Sequence, residues 1–321
     1  MVSRFQKFKF QVVAPTLIGL LKAFLGDRNQ TGDACSSQEF LFILGSGRNG
    51  STLISTILNQ HKELCVLPEQ YLIPFQTSQW QIKRWQSKER FIDQLAVGVQ
   101  RPDKTMDWGI AYDEVLNLFR QGGKSSMVSI ESIFREIYLL YSHKKGKANV
   151  RYLGEKSPLN THYLRIIEPN FPGAKYMFMM RDPRDVVLSY SRLEGHAAQN
   201  IHYAIWKWMD SARQYEWLRK KGHNPLMIKY EDLVADPIGQ ANFICDFLGI
   251  SKFEKIDEQS RMGNHMGVKG QMHHQNLKKP INADSVGGGA KTLSYSHLTL
   301  IYKELGALAR KYGYILEKPC S

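Results

Sequence analysis

Residues 40–59 read FLFILGSGRNGSTLISTILN, and this stretch decides the fold. Phe40 to Leu44 is an unbroken apolar run, the pattern of a strand buried on both faces of a parallel sheet. A glycine-rich turn follows at once. From Ser51 onward Leu53, Ile54, Ile57 and Leu58 recur at helical spacing. Strand, tight turn and helix in that order aim backbone N–H groups and the positive end of a helix at whatever occupies the turn.

The turn matches the phosphate-binding pattern G-x-x-x-x-G-K-[ST] at every fixed position except one: Gly45, Gly50 and Thr52 fill their slots, while Ser51 stands where the lysine belongs. In nucleoside triphosphate enzymes that lysine reaches the β- and γ-phosphates, so its absence argues against ATP chemistry. A cradle for a phosphate group remains, with Arg48 supplying a fixed charge from inside the loop. The plain alternative is a glycine turn that merely packs tightly before a buried helix; the strand and helix context favours the cradle.

The chain has 321 residues, enough for one large domain or a domain with an appendage, and 43% of them are hydrophobic and 23% charged, which is ordinary globular composition. Lys and Arg number 43 against 30 Asp and Glu, a net charge of +13 that favours anionic ligands or surfaces. No finger, ribonucleoprotein or homeodomain signature accompanies it, so nucleic acid is not the expected partner. Cys35, Cys65, Cys245 and Cys320 form no C-x-x-C pair, which suggests neither a zinc site nor a disulfide framework; Cys65 and Cys245 sit in apolar runs and read as buried thiols in a reducing cytoplasm. Residues 1–38 read as an N-terminal segment and linker, and residues 39–321 as a single domain. Within the former, Val12 to Leu25 is too short and too interrupted by Pro15 and Lys22 to span a bilayer; residues 1–25 suit a helix lying on the domain, a degenerate signal or peripheral membrane contact.

Further strands are expected over Leu64–Leu67, Val150–Leu153, Lys175–Met180 and Leu226–Tyr230, each short, apolar and separated from the next by helical patterns. The fold class is therefore α/β, a central parallel sheet of the phosphate-loop type flanked by helices. Glu69 follows Pro68 at the end of the second strand, where open α/β sheets place chemistry. Residues 76–121, with Trp80, Trp85 and Trp108, show no simple period and read as an irregular helical insertion able to wall an acceptor site; Ile130 to Tyr141 marks an amphipathic helix. The third strand leads into a turn, Gly154-Glu155-Lys156-Ser157-Pro158, with Ser157 as helix cap. Arg181 ends the fourth strand and Ser189 lies one to two turns into the next helix, so both can converge on one anion; a bland surface Arg–Asp pair is the alternative. Long helices follow over Ile201–Leu218 and Pro237–Leu248, and a last one carries Leu298 to Tyr312 with Gly313 as its stop. Residues 262–293, rich in Lys, His and Gly, read as a C-terminal flap in which Lys278, Lys279 and Lys291 surround Gly287-Gly288-Gly289; the alternative is a solvated linker. His265, His273 and His274 lack acidic or cysteine partners at ligand spacing, and no metal is expected there.

Four segments in order carry a family likeness: GSGRNGST, EKSPLNTHY, RDPRDVVLSYSR and IKYEDLV. The chain resembles the sulfotransferases that use 3′-phosphoadenosine-5′-phosphosulfate (PAPS) and release adenosine 3′,5′-bisphosphate (PAP), over about residues 40–249, and within them the tyrosylprotein and carbohydrate branch with its bacterial relatives. The resemblance implies a 5′-phosphosulfate loop containing Arg48, Asn49, Gly50, Ser51 and Thr52, and 3′-phosphate binding by Arg181 and Ser189. It further brings Tyr230 and Lys291 to the donor, Glu69 as catalytic base and Lys156 as the lysine of the second motif. His162 stands where the tyrosylprotein branch has a catalytic lysine, a departure that leans the acceptor toward a carbohydrate hydroxyl rather than a tyrosine peptide. Compartment follows source: cytoplasmic, with membrane association through the N-terminus, or Golgi lumen in a eukaryote.

Sulfuryl transfer is an in-line displacement at sulfur, so a competent site aligns donor and acceptor and neutralises charge on the departing phosphate without needing a metal. The acceptor hydroxyl loses its proton to a base, the carboxylate of Glu69 first, with His162 and Glu155 behind it. A small-molecule kinase and a non-catalytic nucleotide- or polyanion-binding protein are the competing readings. Ser51 argues against the first.

Overall fold

The computed structural model describes residues 38–83, 86–100, 108–121, 129–193, 195–258 and 280–318. Five parallel strands, β1 (Glu39–Gly45), β2 (Leu64–Val66), β3 (Tyr152–Lys156), β4 (Lys175–Met180) and β5 (Leu226–Lys229), form one sheet in the order β2-β3-β1-β4-β5. After β1 comes α1 (Ser51–Leu58), and after β2 come α2 (Leu72–Ile82), α3 (Lys88–Gln100), α4 (Tyr112–Gln121) and α5 (Ile130–Lys144). The short helices α6 (Pro158–His162) and α7 (Leu164–Ile167) lead from β3 to β4, and α8 (Pro183–Ser191) and α9 (Ile201–Lys220) from β4 to β5. The chain finishes with α10 (Tyr230–Ala235), α11 (Pro237–Leu248), α12 (Gly288–Thr292) and α13 (Tyr295–Arg310).

Alternation along β1 divides the core. Phe40, Phe42 and Leu44 pack with residues of α2 to α5 on one face, while Leu41 and Ile43 pack with residues of α1 and α11 on the other. Each such side chain, fully removed from water, stabilises the fold by roughly 1.5–3 kcal/mol. A third cluster joins α8, α9 and α13 through Val186, Trp208 and Leu305. From β1 the chain moves toward β2, and from β4 toward β5, so the crevice between the carboxyl ends of β1 and β4 is where a ligand is expected.

Several sequence-based expectations shift. Glu155 and Lys156 belong to β3 rather than to a turn, because the ladder to β1 continues to Lys156 opposite Ile43. Gly154, read as a turn glycine, lies inside the sheet: a Cβ there would meet Val66 Cγ2 at 2.6 Å, so glycine is required by the approach of β2. Tyr230 opens α10 instead of ending β5. The insertion consists of regular helices beginning at Leu72, and Trp80 and Trp108 are buried in its core rather than lining an acceptor site. Cys65 and Cys245 are buried free thiols. Residues 1–37, Trp85, the histidines and lysines between 262 and 279, Cys35 and Cys320 lie outside the described residues. No described helix is long and apolar enough to cross a membrane.

Candidate active site

β1 ends in a loop whose backbone turns sharply. Arg48, at φ 55°, is the one non-glycine residue with positive φ among the described residues. Gly50 (φ 88°) precedes α1 and faces Tyr230, whose ring a Cβ would meet at 2.4 Å. Gly50 gives α1 no side-chain cap, whereas Ser157 caps α6 and Asp182 caps α8; Ser51 N–H makes a long bond to Asn49 Oδ1 (3.4 Å), and the next N–H groups of the first turn face the loop. The loop is held from behind. Gly45 N–H donates to Thr161 Oγ1 (2.9 Å), which donates to the Gly45 carbonyl (3.0 Å); Asn49 Nδ2 donates to the Met179 carbonyl (2.7 Å) and Tyr190 Oη to the Ser46 carbonyl (2.7 Å).

Two guanidiniums meet at this loop. Arg48 Nε donates to Ser189 Oγ at 3.0 Å, and Arg181 Nη1 donates to the Arg48 carbonyl at 3.2 Å. Arg181 also donates to the Ser285 carbonyl (2.6 Å) and stacks 4.2 Å from the centroid of Tyr230, whose hydroxyl is 2.7 Å from Ser285 Oγ. Burial, and then the neighbouring Arg181 charge, push the Arg48 pKa down, and Arg181 Nε is buried with no partner among the described residues. Crowded cations with an unused donor form a site that an oxyanion relieves. Asp185, 3.8 Å from Arg181, accepts from Gly287 N–H (2.9 Å) and Gly289 N–H (2.6 Å), which docks the end of the flap on α8.

Glu69 enters from the end of β2, on a segment pinned by Trp108 Nε1 donating to the Pro68 carbonyl at 2.8 Å. Lys156, whose side chain is 1% exposed, donates to Glu69 Oε2 at 2.9 Å and lies 3.5 Å from Thr52 Oγ1 in the first turn of α1; Glu69 itself is 22% exposed. One residue back, Glu155 points to the opposite face of the sheet. Its carboxylate accepts from Tyr138 Oη and from Asn160 Nδ2 (2.8 Å), and burial raises its pKa to about 7.

His162 is engaged at both ring nitrogens, Nδ1 with Asp210 Oδ2 at 2.5 Å and Nε2 with Lys207 Nζ at 3.0 Å, and its ring stacks on Trp206 at 4.7 Å. Of the residues singled out from the sequence, Arg48, Arg181, Ser189 and Tyr230 form one cluster with the loop, and Glu69, Lys156 and Thr52 a second; Lys291 is left exposed in the last turn of α12. Thr161, Asp185, Tyr190, Lys207, Asp210 and Ser285 escaped sequence reading. Lys207 and Asp210 had a legible signal, a cation and an anion three residues apart on one helix face.

A model described as "Sulfotransferase family" matches residues 41–255. Protein-tyrosine sulfotransferase A of Caenorhabditis elegans is 25% identical over 260 residues, 77% of this chain and 60% of its own length. Omega-hydroxy-beta-dihydromenaquinone-9 sulfotransferase Stf3 of Mycobacterium bovis is 22% identical over 256 residues, 67% of this chain and 63% of its own. The chain thus spans less than two thirds of either relative. Among solved structures, the sulfotransferase domain of the Synechococcus PCC 7002 olefin synthase superposes with a TM-score of 0.59 at 25% identity, covering 91% of this chain and 100% of that one. The sulfotransferase domain from the curacin biosynthetic pathway does so with 0.57 at 23% identity, covering 87% and 99%, a likeness of fold. With phosphate-type loop, paired arginines and strand-end glutamate falling inside the matched span, the chain belongs to the sulfotransferase family.

Proposed function

We propose that the chain transfers a sulfuryl group from PAPS to an acceptor hydroxyl, with Glu69 as the base, and that residues 39–321 form one domain for this purpose. The observation that carries the reading is the Glu69–Lys156 pair at 2.9 Å, set beside Thr52 in the first turn of α1. The donor fits these residues: Arg181 has a buried unpartnered Nε and Arg48 a guanidinium strained by burial, both at the loop, as a bisphosphate requires. When bound, PAPS supplies an electrophilic sulfur and a bisphosphate leaving group.

The chain's own groups have distinct tasks. Arg48, the N–H groups at the start of α1, Ser51 and Thr52 hold negative charge at the loop, and Arg181 with Ser189 holds it at the second anion position. Glu69 takes one proton from the acceptor hydroxyl, while Lys156 fixes the carboxylate in place. Glu155 has both oxygens turned into the core, and His162 has both nitrogens engaged, so each is a weaker candidate for that proton.

For the acceptor we favour a carbohydrate. Tyr71 is exposed beside Glu69, whose charge raises the phenol's pKa, and an exposed aromatic ring at that point suits the face of a sugar. A tyrosine peptide is the second reading, favoured by the name of the nematode relative. Transfer of labelled sulfate to a panel of glycans and tyrosine peptides tests both, with glycan products expected. Absence of PAP binding at millimolar concentration sinks the donor reading itself.

A further inference from the structure

A buried lysine stands in this region that the reaction outlined above does not use. Lys207 on α9 is 4% exposed, and its ammonium donates to His162 Nε2 at 3.0 Å. Burial lowers the His162 pKa, and Lys207 lowers it further, so the ring is neutral. It then accepts from Lys207 at Nε2 and donates from Nδ1 to Asp210 at 2.5 Å. Burial alone would raise Asp210, yet hydrogen bonds from His162 and from Gln214 (3.0 Å) hold it lowered, as an ionised anchor. Asp210 and Lys207 share one face of α9, with His162 closing the chain from α6.

This arrangement aims Lys207 while using one of its donors. Among the described residues no other hydrogen-bond acceptor meets its ammonium; Tyr190 of α8 and Tyr203 of α9 face it with their rings, centroids 5.9 and 5.8 Å away. The other charges that act on it are Asp210 and Glu69. Glu69 is also the carboxylate that Lys156 contacts and whose charge reaches Arg48. Lys156 contacts Glu69, the charges of Arg48 and Lys207 act on it, and Tyr190, whose hydroxyl donates to the Ser46 carbonyl of the loop, has its ring 5.9 Å from Lys207, so three cations share this partly open carboxylate.

We infer that Lys207, aimed by the Asp210–His162 pair, is an oxyanion-binding residue of this site that takes a sulfuryl oxygen held opposite Glu69. The inference rests on the donor reading given above. PAPS and PAP differ in the sulfuryl group alone, so their affinities isolate the contact without any acceptor. Charge-assisted hydrogen bonds are worth about 1.5–3 kcal/mol, so Lys207→Met weakens PAPS roughly tenfold or more and leaves PAP within about twofold. Lys207→Arg retains most of the PAPS affinity. Burial lowers the Lys207 pKa to about 8, against the pull of Asp210 and Glu69, so the ammonium is lost as pH rises through that value. The wild-type ratio of PAPS to PAP affinity therefore falls several-fold between about pH 7 and 9, and Lys207→Arg abolishes the fall.

Calorimetric titration of both nucleotides against wild type and the two variants reads these outcomes, and the wild-type pH series needs no variant to fold. Equal loss of PAPS and PAP affinity in Lys207→Met, or no loss of either, overturns the assignment, as does a pH-independent ratio. Failure of the wild type to bind either nucleotide overturns the donor reading instead.

Discussion

Glu155 and Lys156 follow one another on β3 and point to opposite faces of the sheet, where each meets a different setting for a carboxylate. On one face Glu155 is sealed among Tyr138, Asn160 and the helices of the insertion, with 1% exposure and a pKa raised to about 7 by burial. On the other, Lys156 reaches Glu69, which stays partly open to solvent. Proton affinity alone would nominate Glu155 as a base; access nominates Glu69. A base must touch the proton it removes, and on that ground Glu69 is the one proposed. Alternation along β3 turns Glu155 into the core and, one residue on, Lys156 toward Glu69, the carboxylate proposed as base.

The largest expected effect tests that division directly. General-base catalysis contributes about 10²–10⁴-fold, so Glu69→Gln lowers kcat by that amount while PAP affinity, measured by titration, stays unchanged. Glu155→Gln leaves kcat within about threefold under the same assay, because no step of transfer needs it. If the two results exchange places, the roles of the two faces are reversed.

How much of this was open to sequence reading follows from range. The loop Gly45–Thr52 and the strand–helix context are local, written in consecutive residues, and the sheet bears them out. Arg181 with Ser189, eight positions apart across one strand–helix junction, was also within reach. By contrast, the end of β3 was misplaced, since Gly154 reads as a turn unless the approach of Val66 from another strand is known. Lys207 and Asp210 escaped sequence reading: three positions apart on one helix they offer only a local pair, and the fold alone brings His162 from 45 residues away between them and buries the lysine and the histidine. Pairings made through space, rather than along the chain, leave no periodic trace.

The second effect is on stability and distinguishes the faces by pH. The folded-state pKa of Glu155, about 7, lies above the 4.5 of an ordinary glutamate, so the native state holds this proton more tightly than the unfolded state. Stability is therefore greatest below about pH 4.5 as far as this group is concerned, falls as pH rises, and stops falling above about pH 7, for a total near 3 kcal/mol. Denaturant unfolding at pH 5 and pH 8 should show that loss in wild type and a smaller one in Glu155→Gln. An equal slope in the variant would mean that Glu155 stays ionised throughout.

Third, Gly154→Ala probes what sets the two faces. Its Cβ would fall 2.6 Å from Val66 Cγ2 and 3.0 Å from Val66 Cα, so β2 must move from β3. Overpacking of this kind costs about 1–3 kcal/mol, read as a drop in Tm. Because Glu69 hangs from the end of β2 and Lys156 from the end of β3, kcat should fall too, whereas Glu155, held by α5 and α6, keeps its partners. Loss of stability with kcat intact would mean that Glu69 is placed by its own loop and by Trp108, independently of the strand pairing.

The smallest effect concerns the loop end, where charge is held rather than protons moved. Ser189→Ala removes the acceptor of Arg48 Nε, a single hydrogen bond at 3.0 Å, together with the hydroxyl proposed for the second anion position. A bond of this kind is worth about 1 kcal/mol, so PAP and PAPS affinities should both fall about fivefold, in equal measure, with kcat at saturating donor unchanged. That pattern marks Ser189, with the Arg48 it holds, as a ground-state binder, apart from Glu69, the proposed base, which would act only during transfer. The converse pattern, a lower kcat with PAP affinity intact, would assign Arg48 to charge that appears at the leaving phosphate only as the sulfur bond breaks. Ser189 would then be the residue that aims it.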